Sequence, residues 1–504
     1  MRWCAQIRRI AFAVAAALVF AASVRGATRP QYGGVLRVEL RASAMTLNPS
    51  QWKMGSGDYA GNQRLAELVF DRLVSLDNYG RFQPQLAIEW SSDSSLKHWH
   101  FTLRPGVKFS DGTPLTASDV VAALQGVLPH EMQISATATG VAIQSASHAG
   151  DLLELLASGP YFIYRSDGQG AVIGTGAFVL EIAAGGQAGQ AQRLRFRFNE
   201  TCWSGRPFVD AIEVTLGVPP MRALLDLQLG KTDVAELSED TARRAQQANL
   251  KLWASSPLTL YGVRFAAAGK SANDRTLREA LSLALDRGAM ARVLLQKQAE
   301  PAASFLPQWL SGYAFLFDTE SNLERAKELR ASLPAGAVGA AQPLRIVVDA
   351  GGELSKLIAE RVVVNARAAG ITLQIVSWTA GRALSDGGTA KPEGEAQLVA
   401  WRYTSLSARA DLQSIAAELP AEITEGGVPE DADARYAWEK RMMDEKNILP
   451  LVAVPDFAAV DPQVRNWSPA PWGEWRLADV WLDQTEPAGA ARDAAKKTPA
   501  GARP

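Results

Sequence analysis

The chain has 504 residues, more than one ordinary hydrophobic core supports, so two or three domains are expected. A hydrophobic share of 47% and a charged share of 21% belong to a folded globular protein and exclude a disordered or fibrous one. The net charge is −1 and no polybasic tract is present, which argues against nucleic acid as a main partner.

The first residues read as a secretory signal. Arg2, Arg8 and Arg9 precede the apolar run Ile10–Ala22, and Val24-Arg25-Gly26 before Ala27 is a small-residue cleavage site. The apolar run of about 13 residues is short of the ~20 needed to span a bilayer. Removing residues 1–26 takes away four arginines and brings the charge to −5. Cys4 lies before the apolar run and only Cys202 follows it, so neither a lipid-bearing cysteine at the cleavage site nor an internal disulfide is expected.

A strand is expected at Val35–Leu40, then a mixed α/β stretch over 61–173 with a hairpin-like Val69–Leu76 and a turn at Asp77-Asn78-Tyr79-Gly80. Within it, Trp99, Phe101 and Leu103 alternate with polar residues, a half-buried strand pattern. Pro105-Gly106 and Asp111-Gly112 are turns, and Thr116 stands three residues before Asp119 as a capping box just ahead of the apolar run Val120–Leu124. Strands at Phe178–Ile182 and Arg193–Asn199 follow, then a helix at Met221–Leu229 stopped by Gly230. Leu277, Leu281, Ala284 and Leu285 share a helix face and read as core. Arg278 and Arg287 read as salt-bridging helix residues. Leu344–Val348, Leu354–Ala369 and Ile371–Val376 form a strand–helix–strand unit, which implies a parallel pair joined by a right-handed crossover. The tail Pro487–Pro504 has a disordered composition.

Catalytic patterns are missing: there is no GxSxG elbow, phosphate loop, HExxH or paired-cysteine metal pattern. His98 and His100 share one strand face but lack further ligands, so they read as a solvated face rather than a metal site. Neither an enzyme nor a cofactor is expected.

The block LRPGVKFSDGTPLTASDVV, Leu103–Val121, closely resembles the signature of the family 5 extracellular solute-binding proteins. Gly33–Val38, Leu47-Asn48-Pro49, Gln83–Ala87, Gly174–Phe178, Asn199–Val214 and Asp274–Arg287 resemble further family segments in the same order, so the similarity covers roughly residues 31–484. The resemblance implies an α/β, two-lobed periplasmic-binding-protein fold, type II-like, with an extra insert domain. Residues 27–60, 174–261 and 456–484 would form the first lobe, 61–173 the insert and 262–455 the second lobe, with a two-stranded hinge where the chain crosses near 262 and 455. It also implies a periplasmic monomer that captures peptides or other small solutes and delivers them to an ABC permease and ATPase complex. The alternatives are a non-peptide solute (an oligosaccharide, an opine-like compound or a metal chelate) and a degenerate non-transport scaffold.

In peptide-binding members an acidic residue shortly after a Gly/Ala-Trp pair meets the ligand's ammonium. Here the pair is Ala400-Trp401, Arg402-Tyr403-Thr404 follow, and the acidic position falls on Thr404. The resemblance therefore makes Trp401 a cleft wall, removes the usual ammonium anchor, and lets Arg402 favour an anion. Met54, Gly55 and Ser56 would occupy a cleft-lining loop, and Tyr403 completes the candidate set.

Overall fold

The computed structural model describes residues 29–52, 58–166, 172–184, 192–265, 272–334, 342–349, 352–378, 394–419, 421 and 424–483. The signal segment, Met54, Gly55, Ser56 and the tail Pro487–Pro504 lie outside the described residues.

Strand β1 (Val35–Glu39) turns Leu36 and Val38 into a core that it shares with helix α1 (Tyr59–Val69), through Leu65, Ala66, Leu68 and Val69. The boundary expected at residue 61 therefore moves: α1 packs into the first lobe, and the insert's own core begins at Leu73. That insert is an antiparallel sheet of β2 (Ala87–Ser92), β3 (His98–Leu103), β4 (Met132–Ala136) and β5 (Gly140–Ser145), in the order β2-β3-β5-β4. Helix α2 (Ala117–Gln125) adds Val120 and Leu124 to the core formed by Trp99, Phe101, Val141 and Ile143. Its capping box forms as expected, with Asp119 N–H donating to Thr116 and the Asp119 carboxylate accepting from the Thr116 backbone. His98 pairs with Asp93 and His100 with Thr139 on the outer face.

The chain enters and leaves the insert through two segments in backbone contact. Ile163 N–H donates to Asp71 O at 2.8 Å and Gly176 N–H to Val69 O at 2.9 Å. A Cβ on Gly174 would lie 2.0 Å from Val69 O, so only glycine fits this passage.

Most of the remaining strands, with the helices between them, build one large sheet. In chain order they are β6 (Phe178–Ala184), β7 (Arg193–Phe198), β8 (Ala211–Thr215), α3 (Pro220–Gln228), β9 (Val234–Leu237), α4 (Glu239–Gln247), β10 (Lys251–Phe265), α5 (Ala272–Ala284), β11 (Leu344–Asp349), α6 (Glu353–Ala368), β12 (Leu373–Trp378), β13 (Ala396–Arg402), α7 (Ala408–Ala416), α8 (Ala432–Asp444) and β14 (Ile448–Val460). The strand order is β6-β7-β8-β1-β9-β14-β10-β13-β11-β12, with Glu300–Pro301 pairing beside β14. β11 and β12 are parallel, as the crossover requires.

The two long strands β10 and β14 pair antiparallel and carry the sheet from one lobe to the other. β14 meets β9 through Phe457–Val460, and β10 meets β13 through Thr259–Phe265. Between these stretches Pro257 faces Pro455, and the register shifts on both sides of Pro257. Neither proline has an N–H, so the ladder is thinnest where the lobes join. Leu277, Leu281, Ala284 and Leu285 are buried in the second-lobe core. Arg287, expected as a salt-bridging residue, instead donates to the Pro450 and Ser282 carbonyls at 2.8 and 3.1 Å.

The insert also touches the second lobe. The Ser407 hydroxyl donates to Asp151, Leu406 N–H to Ser158 Oγ at 3.0 Å, and Arg409 to Glu131 at 3.5 Å, while His148 lies 2.8 Å from Glu430.

Candidate functional site

A cleft of about 1000 Å³ lies between the lobes. The first lobe contributes Arg41 and Ser43 from the loop after β1, Asp58 and Ala60 at the start of α1, Glu236 on β9 and the first turn of α4. The second contributes Tyr261 on β10, Leu294–Gln298, the first turn of α6, and Ala400 and Arg402 on β13. Val454, Pro455, Asp456 and Phe457 of β14 form the hinge side.

An unbroken chain of ion pairs crosses the hinge side. Arg402 donates to both oxygens of Asp456, at 2.9 and 2.7 Å. Arg64 donates to Asp456 at 2.6 Å and to Glu236 at 2.8 Å, and the other Glu236 oxygen accepts from Arg41 N–H at 2.9 Å. The Arg64 guanidinium also lies over the Trp475 ring at 4.3 Å. Burial alone would raise the Asp456 carboxyl, but Arg402 and then Arg64 hold it far below the usual carboxylate range. Glu236 is lowered against the same opposition from burial, chiefly by Arg64. Glu239, by contrast, is raised by burial.

The lining carries Arg41, Arg243 and Arg402 against Asp58, Glu236, Glu239, Asp240, Glu353 and Asp456. Adding Arg64 behind the wall still leaves acids in excess. Carboxylates therefore outnumber guanidinium groups around the cleft.

The sequence-derived candidates separate by strand face. Alternate residues of β13 point to opposite sides, so Ala400 and Arg402 reach the cleft while Trp401 and Tyr403 point away. Trp401, expected as a cleft wall, packs with Leu260, Phe305 and Leu412 inside the second lobe. Tyr403 is buried there too, its hydroxyl donating to Phe305 O at 2.6 Å. Thr404 is buried, and its N–H donates to Asp411 Oδ1 at 3.1 Å. Arg402 stands in the cleft, but its guanidinium is occupied by Asp456 instead of open to an anion.

Sequence reasoning passed over Asp456, Glu236, Arg64 and Arg41. A signal existed for Asp456: it is the single charge in the otherwise apolar run of β14, and such a charge needs a partner.

The sheet that spans both lobes, the two-stranded hinge and the cleft beside it define a two-lobed α/β solute-binding protein. The chain belongs to the bacterial extracellular solute-binding proteins, family 5, whose middle-region model matches residues 81–416. It is similar to the nickel-binding periplasmic protein of Escherichia coli, 26% identical over 63% of this chain and 67% of that protein. It also resembles protein XP55 of Streptomyces lividans, 27% identical over 52% of this chain but only 51% of that protein. Among solved structures it is similar to the ABC transporter substrate-binding protein CtaP of Listeria monocytogenes, with a TM-score of 0.75 at 17% identity over 90% of this chain and all of that one. The oligopeptide-binding protein AppA of Bacillus subtilis, in complex with a nonapeptide, gives a TM-score of 0.72 at 16% identity, again over 90% of this chain and all of that one. Among the described residues no helix is long and apolar enough to cross a membrane.

Proposed function

We propose that the protein is the exported solute-capturing component of an ABC importer and that its cargo is a short peptide or peptide-like solute bearing positive charge. It acts as a binding protein with no catalytic step, closing two lobes on the guest and presenting it as a monomer to a membrane permease. The excess of acids over bases around the cleft supports this cargo. The volume favours a short guest, since about 1000 Å³ stands at the upper end of the ~300–1,000 Å³ typical of small-ligand sites. Arg402 and Ala400 are the members of the β13 pair of faces that would contact it.

A metal chelate is the second reading, favoured by the likeness to a nickel-binding protein. Among the described residues no cluster of three His, Cys, Asp or Glu is placed to hold a bare ion, so a metal would arrive wrapped in its own ligands. Thermal-shift measurements with lysine-rich, neutral and glutamate-rich tripeptides, and with nickel–histidine, separate the readings. Stabilisation graded in the order lysine, neutral, glutamate supports the cationic cargo. Stabilisation by the chelate alone, or by the glutamate peptides most, overturns it.

A further inference from the structure

A second cavity, of about 510 Å³, lies at the hinge and shares no lining residue with the cleft. That volume falls within the ~300–1,000 Å³ typical of small-ligand sites. The hinge itself contributes Ala254–Pro257 of β10, the stretch where the ladder with β14 is thinnest. The first lobe contributes Pro471, which lies in the chain between Trp467 and Trp475 of that lobe's core. The second lobe contributes Glu300 and Trp309. Glu300 pairs with Ala453 of β14, and Trp309 precedes Leu310, which packs on the core around Trp401.

Two of these side chains are not used by the fold. Trp309 is half-buried yet belongs to none of the hydrophobic cores among the described residues. Its indole N–H donates to Pro257 O at 2.8 Å, which fixes the ring against the hinge. Glu300 is exposed, and its carboxylate has no ion pair or hydrogen bond among the described residues. Gln308, which also lines the cavity, is spent on its own loop: it donates to Gly312 O at 2.8 Å and accepts from Phe315 N–H at 3.0 Å. No arginine or lysine is among the lining residues, so Glu300 is the single charge there. A tryptophan ring and an unpaired carboxylate on one cavity are the chemistry that receives an organic cation. Ala254, Pro257 and Pro471 supply apolar surface for the body of such a guest.

We propose that this hinge cavity is a second ligand site, separate from the cleft, and that it takes a small organic ammonium with an apolar body. The site is wired to the cleft. The Ser255 hydroxyl that lines it accepts Asp456 N–H at 2.8 Å, and the Asp456 carboxylate is the one that Arg402 holds in the cleft. Ser256 N–H donates to Pro471 O at 2.8 Å, joining the hinge to the first lobe. A guest that touches Pro471 and Trp309 meets both lobes, so its affinity depends on their relative setting. By linkage, its binding biases that setting in turn.

Phenethylamine and phenylacetate have similar bodies and opposite charges, which makes them the probes. Each is titrated by calorimetry into the full chain as wild type, Glu300→Gln, Trp309→Ala and Glu353→Gln, the last removing a carboxylate of the cleft. The wild type should bind phenethylamine roughly tenfold or more tightly than phenylacetate. Glu300→Gln, a change at an exposed position that the fold tolerates, should abolish that preference. Trp309→Ala should weaken phenethylamine roughly fivefold or more through loss of the ring. Three results overturn the site: no binding of phenethylamine by the wild type, equal affinity for the two probes, or a preference that survives in both Glu300→Gln and Trp309→Ala. Weakening by Glu353→Gln with none by Glu300→Gln would place the amine in the cleft and overturns it as well.

Discussion

Replacing Arg402 by alanine would strip Asp456 of its bidentate partner inside a largely buried network and leave Arg64 as the remaining cation on that carboxylate. The expected result is destabilisation by about 3 kcal/mol, because breaking a buried pair leaves an uncompensated charge. Denaturant unfolding checks it; a loss below about 1 kcal/mol would mean that the pair behaves as an exposed one. A second expectation concerns pH. Burial raises both Asp411 and Glu439 to about 7, although Glu439 accepts from the Tyr313 hydroxyl at 2.8 Å. Between about pH 4 and 7 the native state holds protons on these groups that the unfolded chain has released, so stability falls as pH rises through that window. Asp456 acts in the opposite sense: its lowered carboxyl contributes above the unfolded value, and that contribution is lost as pH falls below about 4. Stability should therefore peak on the acid side of neutrality, with a midpoint roughly 5 °C higher near pH 5 than near pH 8, and Glu439→Gln should flatten the slope. A level profile in the wild type would show that the buried carboxyls ionise freely. None of these roles was legible locally, because the partner of Arg402 is 54 positions away and the sequence says nothing of which charges fold together.

Elements were more legible than their partners. The Thr116–Asp119 box, the strand through Trp99 and Phe101, and the stop at Gly370, with φ +75°, each follow from a few adjacent residues and each forms. The departure at Trp401 arose at the same scale: the family's Gly/Ala-Trp pair implied a cleft wall, while the period-two alternation of β13 separates Trp401 and Tyr403 from Ala400 and Arg402. The hinge allows a test of its own. Pro257 and Pro455 face each other without N–H donors, so Pro257→Ala together with Pro455→Ala would restore two. The expected outcome is a stiffer ladder and a smaller difference in radius of gyration between empty and ligand-saturated protein by small-angle X-ray scattering. An unchanged difference would place the bending elsewhere in the two strands.

For the molecule as a whole, the order of segments pointed to the family and its two-lobed fold, while α1 packs into the first-lobe core because its apolar face decides its core and chain position does not. The lobes are not held by the hinge alone. The insert holds the second lobe through Asp151 with Ser407, Glu131 with Arg409, and His148 with Glu430. Asp151→Ala with Arg409→Ala should leave the fold intact yet weaken solute binding roughly tenfold, by removing contacts that hold the insert against the second lobe. Circular dichroism and calorimetry on that double variant decide it; unaltered affinity would make the seam incidental to closure.

The paired passage at Val69 and Gly176 has an evolutionary consequence. A segment whose two ends already touch can be lengthened, trimmed or exchanged without moving the sheet that it leaves and rejoins. The two glycines there act as a grafting point, and the body beyond them is free to diverge at its own pace. An exchange of the whole insert at that point would leave the cleft and the two long strands beside it where they stand.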